Sequence, residues 1–368
     1  MKFIIACSLI KPEIELATNF SSARNSLSIS SNVLFENNND TLTIKATDGK
    51  LGFISTVPVQ TVVPGSTTVF CDKLVAVLKN IPDVDLEFSS ENNKLTIRPV
   101  DASNNINVNI KTTDASKYPQ LLPIPETDFF SLTQKEYSDM IDKTSFAVSD
   151  ETTRIFLTGV YMEKKEDKLV LVATDGRRLA YCAKQFEQTI PDFPGAIIPT
   201  RFLAQLKNLL SDEGVFSMAV TSDDIYAQVG SRIIYSSLIS ANYPNYDRVI
   251  PKSFEYECKM KREDMEKAIN LISVLVETKS KKIFIDMNTD GVMLSSENAD
   301  FGDSKQIIPC EYNGPEAKIS FNYNLLSTPI KKIDCEFFKI SFNNTSSAMA
   351  IFPEPEKDYL FVLMPMQG

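Results

Sequence analysis

The chain has 368 residues, which is too long for one ordinary core and suits two or three domains. Apolar residues make up 43% and charged residues 23%, so the composition excludes global disorder. The net charge of −10 argues against an ordinary tight DNA binder, whose affinity comes from neutralising phosphates. Histidine is absent, which removes the commonest general base near neutral pH and the commonest metal ligand.

The chain starts with a lysine and an apolar run over residues 3–10. Charged residues follow at once and no small-residue cleavage site is present, so we predict a first β-strand rather than a secretory signal. No run approaches the roughly 20 apolar residues of a membrane span. The six cysteines are scattered singly, without the paired spacing of a zinc site. These patterns predict buried thiols, no metal, no cofactor and a cytoplasmic location.

The chain contains a sequence unit that occurs more than once. Ala46-Thr47-Asp48-Gly49 recurs as Ala173-Thr174-Asp175-Gly176, and each copy follows an alternating strand pattern, which places Asp-Gly in a turn. Leu78-Lys79-Asn80 and Tyr118-Pro119 also recur, about 125 residues further on, as Leu206-Lys207-Asn208 and Tyr243-Pro244. Three colinear matches at nearly one spacing indicate an internal duplication.

A fainter third copy has a strand at Ile283-Phe284-Ile285, a turn near Asp300 and a helix that opens at Asn324. Each copy also starts with a helix, predicted from Lys11-Pro12 as a first turn, from the capping box Thr133-Gln134-Lys135-Glu136, and over residues 261–276. We therefore predict an α+β fold of three repeated domains, each with two helices and antiparallel sheets. The proline-containing boundaries give domains at residues 1–122, 127–248 and 252–368.

Positive charge is concentrated on the second helix of each copy, although the whole chain is acidic. These basic residues are Lys73, Lys79, Arg201, Lys207, Lys331 and Lys332. Ordinary solvated helix faces explain the charges equally well at each place taken alone. The repetition of the bias in three equivalent helices favours a shared role toward a polyanion.

If such helices line a closed hole, geometry limits the assembly. Six helices spaced ~10 Å apart leave an opening of ~10 Å, narrower than one DNA groove, whereas twelve leave nearly 30 Å. A ring around duplex DNA therefore requires two chains.

The repeat, the run Ala173-Thr174-Asp175-Gly176-Arg177-Arg178-Leu179-Ala180 and the ending Met364-Pro365-Met366 together resemble the bacterial DNA polymerase III beta subunit family of sliding clamps. The resemblance spans the whole chain. It implies a non-catalytic processivity factor in DNA replication: a homodimer closed head-to-tail around double-stranded DNA, opened by a clamp loader. It also implies that the DNA polymerase III alpha subunit and other partners dock through short peptides with Gln and Leu or Phe anchors.

The resemblance implies three sets of site residues. The peptide-binding pocket would use Leu157, Thr174, Gly176, Arg177, Arg178, Leu179, Pro244, Val249, Val362, Met364, Pro365 and Met366. The DNA-facing set adds Arg24, in a loop, to the six basic helix residues. The dimer contact would join the alternating residues Ile106, Val108 and Ile110 to the region of Val274 and Leu275.

This sequence departs from the family at two positions on the pocket rim. Many relatives have histidine where Arg177 stands and a basic residue near Gln367, so its peptide preference is open. Two other functions remain as alternatives. A metal-dependent nuclease or hydrolase could use Asp48 and Asp175, although an Asp before Gly usually serves turn geometry. The Asn-rich tract at residues 36–40 is compatible with a secreted adhesion protein, but hairpin loops have the same composition. No phosphate-binding loop with Gly-Lys-Ser/Thr is present.

Overall fold

The computed structural model describes residues 1–22, 28–101, 105–126, 129–298, 300 and 302–366. The chain forms two compact units. The first contains Met1–Gln134 and Ala204–Leu238, and the second contains Lys135–Leu203 and Ile239–Gly368. No helix in the described part of the chain is long and apolar enough to cross a membrane.

The first repeat runs strand, helix, five strands, helix, three strands. Its elements are β1 (Lys2–Ala6), α1 (Cys7–Ala17), β2 (Asn32–Asn38), β3 (Thr41–Thr47), β4 (Leu51–Pro58), β5 (Gln60–Val63), β6 (Gly65–Phe70), α2 (Cys71–Lys79), β7 (Asp85–Glu91), β8 (Lys94–Pro99) and β9 (Val108–Thr113).

The second repeat has the same order without an equivalent of β5. Its elements are β10 (Phe130–Thr133), α3 (Gln134–Thr144), β11 (Gly159–Lys165), β12 (Lys168–Thr174), β13 (Arg178–Gln185), β14 (Ala196–Pro199), α4 (Thr200–Leu209), β15 (Val215–Val220), β16 (Asp224–Val229) and β17 (Arg232–Ser237).

The third repeat follows the same plan. Its elements are β18 (Tyr256–Lys261), α5 (Arg262–Ile272), β19 (Lys282–Asn288), β20 (Gly291–Asn298), β21 (Gly302–Ile308), β22 (Cys310–Tyr312), β23 (Ala317–Asn322), α6 (Tyr323–Lys331), β24 (Phe337–Phe342), β25 (Met349–Glu354) and β26 (Tyr359–Leu363).

Strand pairing repeats as well as element order. The ladder β6-β2-β3-β4 of the first repeat recurs as β14-β11-β12-β13 and as β23-β19-β20-β21, all antiparallel. The ladder β1-β7-β8-β9 likewise recurs as β10-β15-β16-β17 and as β18-β24-β25-β26. The predicted α+β fold with three repeats is therefore confirmed.

Neighbouring repeats join through continuous sheets inside each unit. In the first unit β4 of the first repeat pairs with β17 of the second, which gives a sheet of 13 strands among the described residues. In the second unit β13 pairs with β26, which gives a sheet of nine. The two junctions use equivalent strands of their repeats.

The helices differ from the sequence prediction at three places. The first apolar run is split, because β1 ends at Ala6 and α1 begins at Cys7. Pro12 consequently lies inside α1 rather than in its first turn. Burial of Ile10 and Ile14 stabilises this helix despite the proline, and Ser8 and Pro12 are exposed, so water can reach the unpaired carbonyl. The helix predicted over residues 261–276 is α-helical only to Ile272 and continues as a short 3-10 helix, Ser273–Leu275.

The cysteines only partly match their predicted burial. Cys7, Cys71, Cys182 and Cys258 are buried free thiols, whereas Cys310 and Cys335 are partly exposed. Burial raises the pKa of Cys71 and of Cys182 to about 12. Both thiols therefore remain protonated at neutral pH.

An ion pair with a buried carboxylate stabilises the junction between β4 and β17 in the first unit. Glu13 of α1 is 5% exposed and accepts three hydrogen bonds from Arg232 of β17, one from Nη2 at 2.5 Å and two from Nε at 3.0 and 3.1 Å. The hydroxyl of Ser55 on β4 donates to the same carboxylate at 2.7 Å. One acidic side chain thus connects a helix to both strands of the joining ladder.

Replacing Glu13→Ala is expected to lower the free energy of unfolding of this unit by about 2–4 kcal/mol, because it leaves Arg232 unpaired in a partly buried site. Amide hydrogen exchange in β17 measures the effect. Glu15→Ala is the control, since the Glu15 side chain is 39% exposed and lies 3.7 Å from Lys79, a pair expected to contribute below about 1 kcal/mol. Equal effects of the two substitutions would contradict the role of Glu13 in stabilising the junction between β4 and β17.

Candidate functional site

The turn between β12 and β13 is tightly organised by one carboxylate. Asp175 accepts hydrogen bonds from the backbone amides of Arg177 at 2.8 Å and Arg178 at 3.0 Å, and from Arg178 Nε at 3.0 Å. Thr174 Oγ1 donates to the carbonyl of Arg178 at 2.6 Å. Gly176 has φ +87°, a left-handed conformation that favours glycine. The turn holds Gly176 and Arg177 exposed at the surface.

The chain end lies directly beside this turn. β26 pairs with β13, with Leu179 opposite Val362. Beyond the strand, the amide of Met364 donates to the carbonyl of Arg177 at 2.9 Å. The amide of Met366 donates to the carbonyl of Ser320 at 2.8 Å. Two separate contacts therefore fix the Met-Pro-Met ending, while the Met364 side chain remains 42% exposed.

An apolar cluster lies beneath the turn and the chain end. Its buried members include Val172, Leu179, Tyr246 and Val362, and Tyr243 packs against them. Tyr243 stacks on Tyr161 with 4.7 Å between ring centroids and donates to the carbonyl of Val172 at 3.4 Å. Burial raises the pKa of Tyr243, so its hydroxyl stays protonated as a donor. These contacts give the surface a rigid aromatic and aliphatic floor.

The other residues of the predicted pocket lie in different surroundings. Pro244 and Val249 are exposed in the segment after β17, and Val249 is 45% exposed. Leu157 is buried in the 3-10 helix Ile155–Leu157, so it supports the site rather than presenting surface. Arg154, missed in the sequence, donates to the carbonyl of Asp175 at 3.4 Å.

The aromatic floor was also missed as a site feature. Tyr243 is part of the Tyr-Pro match between repeats, and that match is the signal that could have identified it. Tyr246 carries no such repeat signal. Its position against Val362 depends on the fold and cannot be derived from local sequence.

The basic residues on the second helices are less free than the sequence suggests. Lys79 on α2 lies 3.7 Å from Glu15 on α1, and Lys332, which caps α6, lies 3.4 Å from Asp142 on α3. Acidic residues of the first helices therefore offset part of the concentrated positive charge. Lys73, Arg201 and Lys331 are exposed, and Lys207 is half-buried. Arg24 and Gln367 lie outside the described residues.

Two strand edges expose apolar surface beside them. β9 pairs with β8 through residues 108–111 but with β6 only through Thr112 and Thr113. A groove of 710 Å³ beside α2 and β9 has a largely apolar lining, which includes Val77 of α2, Val108 and Ile110 of β9, and Ile81 and Ile106 just outside these elements; Lys73 and Lys111 also line it.

The second edge is β21, which ends the four-stranded sheet of the third repeat. The end of α5 and the 3-10 helix that follows it both contact β21. The two helical segments expose Leu271 at 56% and Val274 at 76%, and β21 itself exposes Ile307 at 65%.

Neither aspartate of the alternative hydrolase has the surroundings of a metal ligand. Asp48 accepts from the amides of Lys50 and Leu51, as Asp175 accepts from the corresponding amides of its own turn. Across the described residues, no three acidic, cysteine or histidine side chains gather into a potential metal site. Both carboxylates serve turn geometry.

Three family models cover almost the whole chain. Those of the N-terminal, central and C-terminal domains of the DNA polymerase III beta subunit match residues 1–123, 131–245 and 247–367. The chain belongs to the DNA polymerase III beta subunit family.

Individual relatives agree over full length. The beta sliding clamp of Treponema pallidum is 33% identical over 100% of both chains. The crystal structure of the DNA polymerase III subunit beta from Pseudomonas aeruginosa superposes with a TM-score of 0.95 at 25% identity over 100% of both chains. A second structure from that organism, a sliding clamp bound to griselimycin, gives a TM-score of 0.94 at 25% identity over the same coverage.

The repeat offers a matched test of the turn. Asp175→Ala removes three hydrogen bonds and is expected to destabilise the chain by about 1–3 kcal/mol and to weaken peptide binding at least threefold. Asp48→Ala disrupts the corresponding turn of the first repeat and is expected to leave peptide binding unchanged. Fluorescence anisotropy with a peptide that carries Gln and Leu-Phe anchors distinguishes them. Equal peptide affinities of the two variants would show that the turn at Asp175 does not contribute to peptide binding.

Proposed function

We propose that the protein is a DNA sliding clamp: a non-catalytic processivity factor that closes around duplex DNA as a head-to-tail homodimer. It tethers the DNA polymerase III alpha subunit, a clamp loader and other proteins that carry the binding peptide. The observation that carries the ring is the repeated use of one junction. β4 pairs with β17 and β13 pairs with β26, so the same two strands of the repeat join neighbours twice.

The equivalent strands at the two ends of the series are β21 and β9. β21 is a sheet edge, and residues 108–111 of β9 pair with β8 on one side and with no strand of the described residues on the other. A third junction of the same kind therefore joins β21 of one copy to β9 of another. Two copies joined head-to-tail in this way complete six repeats, as a ring wide enough for duplex DNA requires.

The surfaces beside these edges fit the same contact. Leu271, Val274 and Leu275 of one copy pack into the groove that Ile106, Val108 and Ile110 line in the other. Burial of each large apolar side chain contributes about 1.5–3 kcal/mol before the costs of association. The contact is apolar, in contrast to the ion pair of Glu13 and Arg232.

The helices face the duplex in this arrangement. Their basic residues and Arg24 contact phosphates without reading sequence, because phosphate contacts carry no base information. The DNA-facing residues are Arg24, Lys73, Lys79, Arg201, Lys207, Lys331 and Lys332. The pairing of Lys79 and Lys332 with acidic neighbours keeps these contacts weak, which suits a protein that slides.

Partner peptides dock on the turn and the chain end. The exposed Met364 beside Leu179 and Val362 accepts apolar anchors, and the flexible methionine side chain adapts to different partners. Two buried anchors give ~3–6 kcal/mol before ordering costs, so micromolar or weaker affinity is expected for one peptide. The pocket comprises Leu157, Thr174, Gly176, Arg177, Arg178, Leu179, Pro244, Val249, Val362, Met364, Pro365 and Met366.

The domain limits at residues 1–122, 127–248 and 252–368 are part of the proposal, as is a cytoplasmic location. The scattered free cysteines fit a reducing compartment. The family models for the three domains support a division of the chain at similar positions.

Retention on circular DNA tests the ring. After loading onto nicked circles by a clamp loader, the protein is expected to survive isolation in high salt and to be lost when the DNA is linearised, because topological linkage is independent of phosphate contacts. Loss from the intact circle in high salt, with a competent loader and a confirmed dimer, would contradict encirclement.

Charge reversal tests the helix faces separately. Lys79→Glu with Lys207→Glu is expected to reduce loading severalfold while the dimer stays intact, since repulsion replaces attraction toward phosphates. Reversal of Lys168, an exposed residue at the start of β12, is the control. If the double reversal left loading on DNA unaffected, these helices would not face the duplex.

A further inference from the structure

A second groove lies next to the chain end, on the face of β19 and β23 that carries Phe284 and Ser320. It has a volume of 440 Å³ and is lined by Lys282, Phe284, Lys318, Ile319, Ser320, Thr345, Ser346, Pro365 and Met366. In the ladder between the two strands, Phe284 lies opposite Ser320 and Lys318 lies opposite Asp286. The alternation of side chains places these residues on one face of the sheet.

Two lysines converge on one aromatic ring in this groove. The ammonium group of Lys282 lies 5.1 Å from the centroid of Phe284, and that of Lys318 lies 4.8 Å from it. The nearby carboxylate of Asp286 is 3.8 Å from Lys318, at the outer limit of an ion pair, and the Lys318 side chain is 59% exposed. The groove therefore combines two positive charges and one negative charge around an apolar floor.

The groove continues the surface proposed for peptide docking. Pro365 and Met366 belong to both. The amide of Met366 donates to the carbonyl of Ser320, and the hydroxyl of Ser320 donates to the carbonyl of Met366 at 3.0 Å, so the chain end is fixed along the groove wall. The groove is therefore the surface next to Met364 along this end of the chain, and it lies within the course of an extended peptide that continues past Met364.

We propose that this groove binds an acidic side chain, aspartate or glutamate, that flanks the anchors of the partner peptide. The proposal rests on the peptide-docking function proposed above and specifies its charge preference. A carboxylate between the two ammonium groups approaches both of them, which otherwise repel each other, and the hydroxyl of Thr345 can donate to it. The excess of one positive charge disfavours a basic residue at the same place.

The expected preference is modest because the lysines are partly exposed and screened by salt. Exposed ion pairs are individually weak, so two lysines together give about a three- to tenfold difference in affinity at low ionic strength. The preference should shrink as salt is added. Binding through the apolar anchors should change much less.

The test uses the full-length protein and synthetic peptides with Gln and Leu-Phe anchors. One peptide carries two aspartates before the anchors, a second carries them after, and a third carries asparagines at both places. Fluorescence anisotropy gives the dissociation constants for wild type and for Lys282→Met with Lys318→Met. The matched control is Lys168→Met with Lys279→Met, which removes two exposed lysines outside the groove.

One aspartate peptide should bind wild type about three- to tenfold more tightly than the asparagine peptide. The groove variant should lose this preference and keep its affinity for the asparagine peptide, whereas the control variant should keep both. Equal binding of all three peptides by wild type would overturn the acidic preference and leave the docking pocket standing. Failure of every peptide to bind would overturn the docking pocket itself, and the groove's role with it.

Discussion

Leu271→Asp combined with Val274→Asp is expected to convert the dimer into monomers and to raise its dissociation constant at least about 100-fold. The two side chains are 56% and 76% exposed in the single chain, so the substitutions cost little within the monomer. In the proposed interface, however, they place two charges against the apolar side chains of the groove beside α2 and β9. Burial of a carboxylate against Ile106, Val108 and Ile110 costs several kcal/mol, a desolvation cost that the nearby Lys73 and Lys111 offset only in part.

Sedimentation velocity over a range of concentrations measures this effect. Val215→Asp is the control, because Val215 is 53% exposed and lies on β15, away from both proposed edges. The monomeric variant should also fail to remain on circular DNA in high salt. A variant that sediments as wild type would contradict the third junction, as would a wild-type protein that is monomeric at every concentration.

The fold followed from the sequence because its repeats are marked by local signals. Asp-Gly after an alternating strand specifies a turn through backbone geometry alone, and both turns form with left-handed glycines, at φ +97° for Gly49 and +87° for Gly176. The third copy lacks this signal, yet Ile283 and Ile285 are buried on β19 as their alternation predicts. Patterns that depend on neighbours along the chain were thus sufficient for the element types.

The errors arose where distant parts of the chain decide the outcome. Pro12 was expected to start a helix, but α1 begins five residues earlier because β1 is stopped at Ala6 and Ile10 has a place in the core. The basic helices appeared as a free positive surface, since the sequence does not show that Glu15 and Asp142 face two of their lysines. Such side-chain pairs can be predicted only when it is known how the two elements pack against each other.

The candidate site shows the same division. The turn at Asp175 and the Met-Pro-Met ending could each be identified from sequence, but either alone is compatible with a plain turn or a core strand. Their adjacency rests on the pairing of β13 with β26, which brings together residues almost 200 positions apart. The contact of two lysines with Phe284 could not be predicted for the same reason. Lys318 reaches that ring only through the register of β19 and β23.

Deleting residues 364–368 is expected to abolish binding of partner peptides, with a loss of at least about 100-fold in affinity, because it removes the exposed Met364 and the wall that Pro365 and Met366 form. β26 ends at Leu363, so the ladder with β13 and the buried Val362 remain in place. The proposed dimer contacts lie on other elements, and the truncated protein should still sediment as a dimer.

Fluorescence anisotropy with the anchor peptide measures the loss, and a peptide with alanines in place of the anchors sets the background. Met364→Ala, which keeps the backbone bond to Arg177, should lie between wild type and the truncation. If the truncated protein bound the peptide as wild type does, the pocket would have to lie elsewhere, because the truncation removes the rim and leaves the floor of Leu179 and Val362 in place.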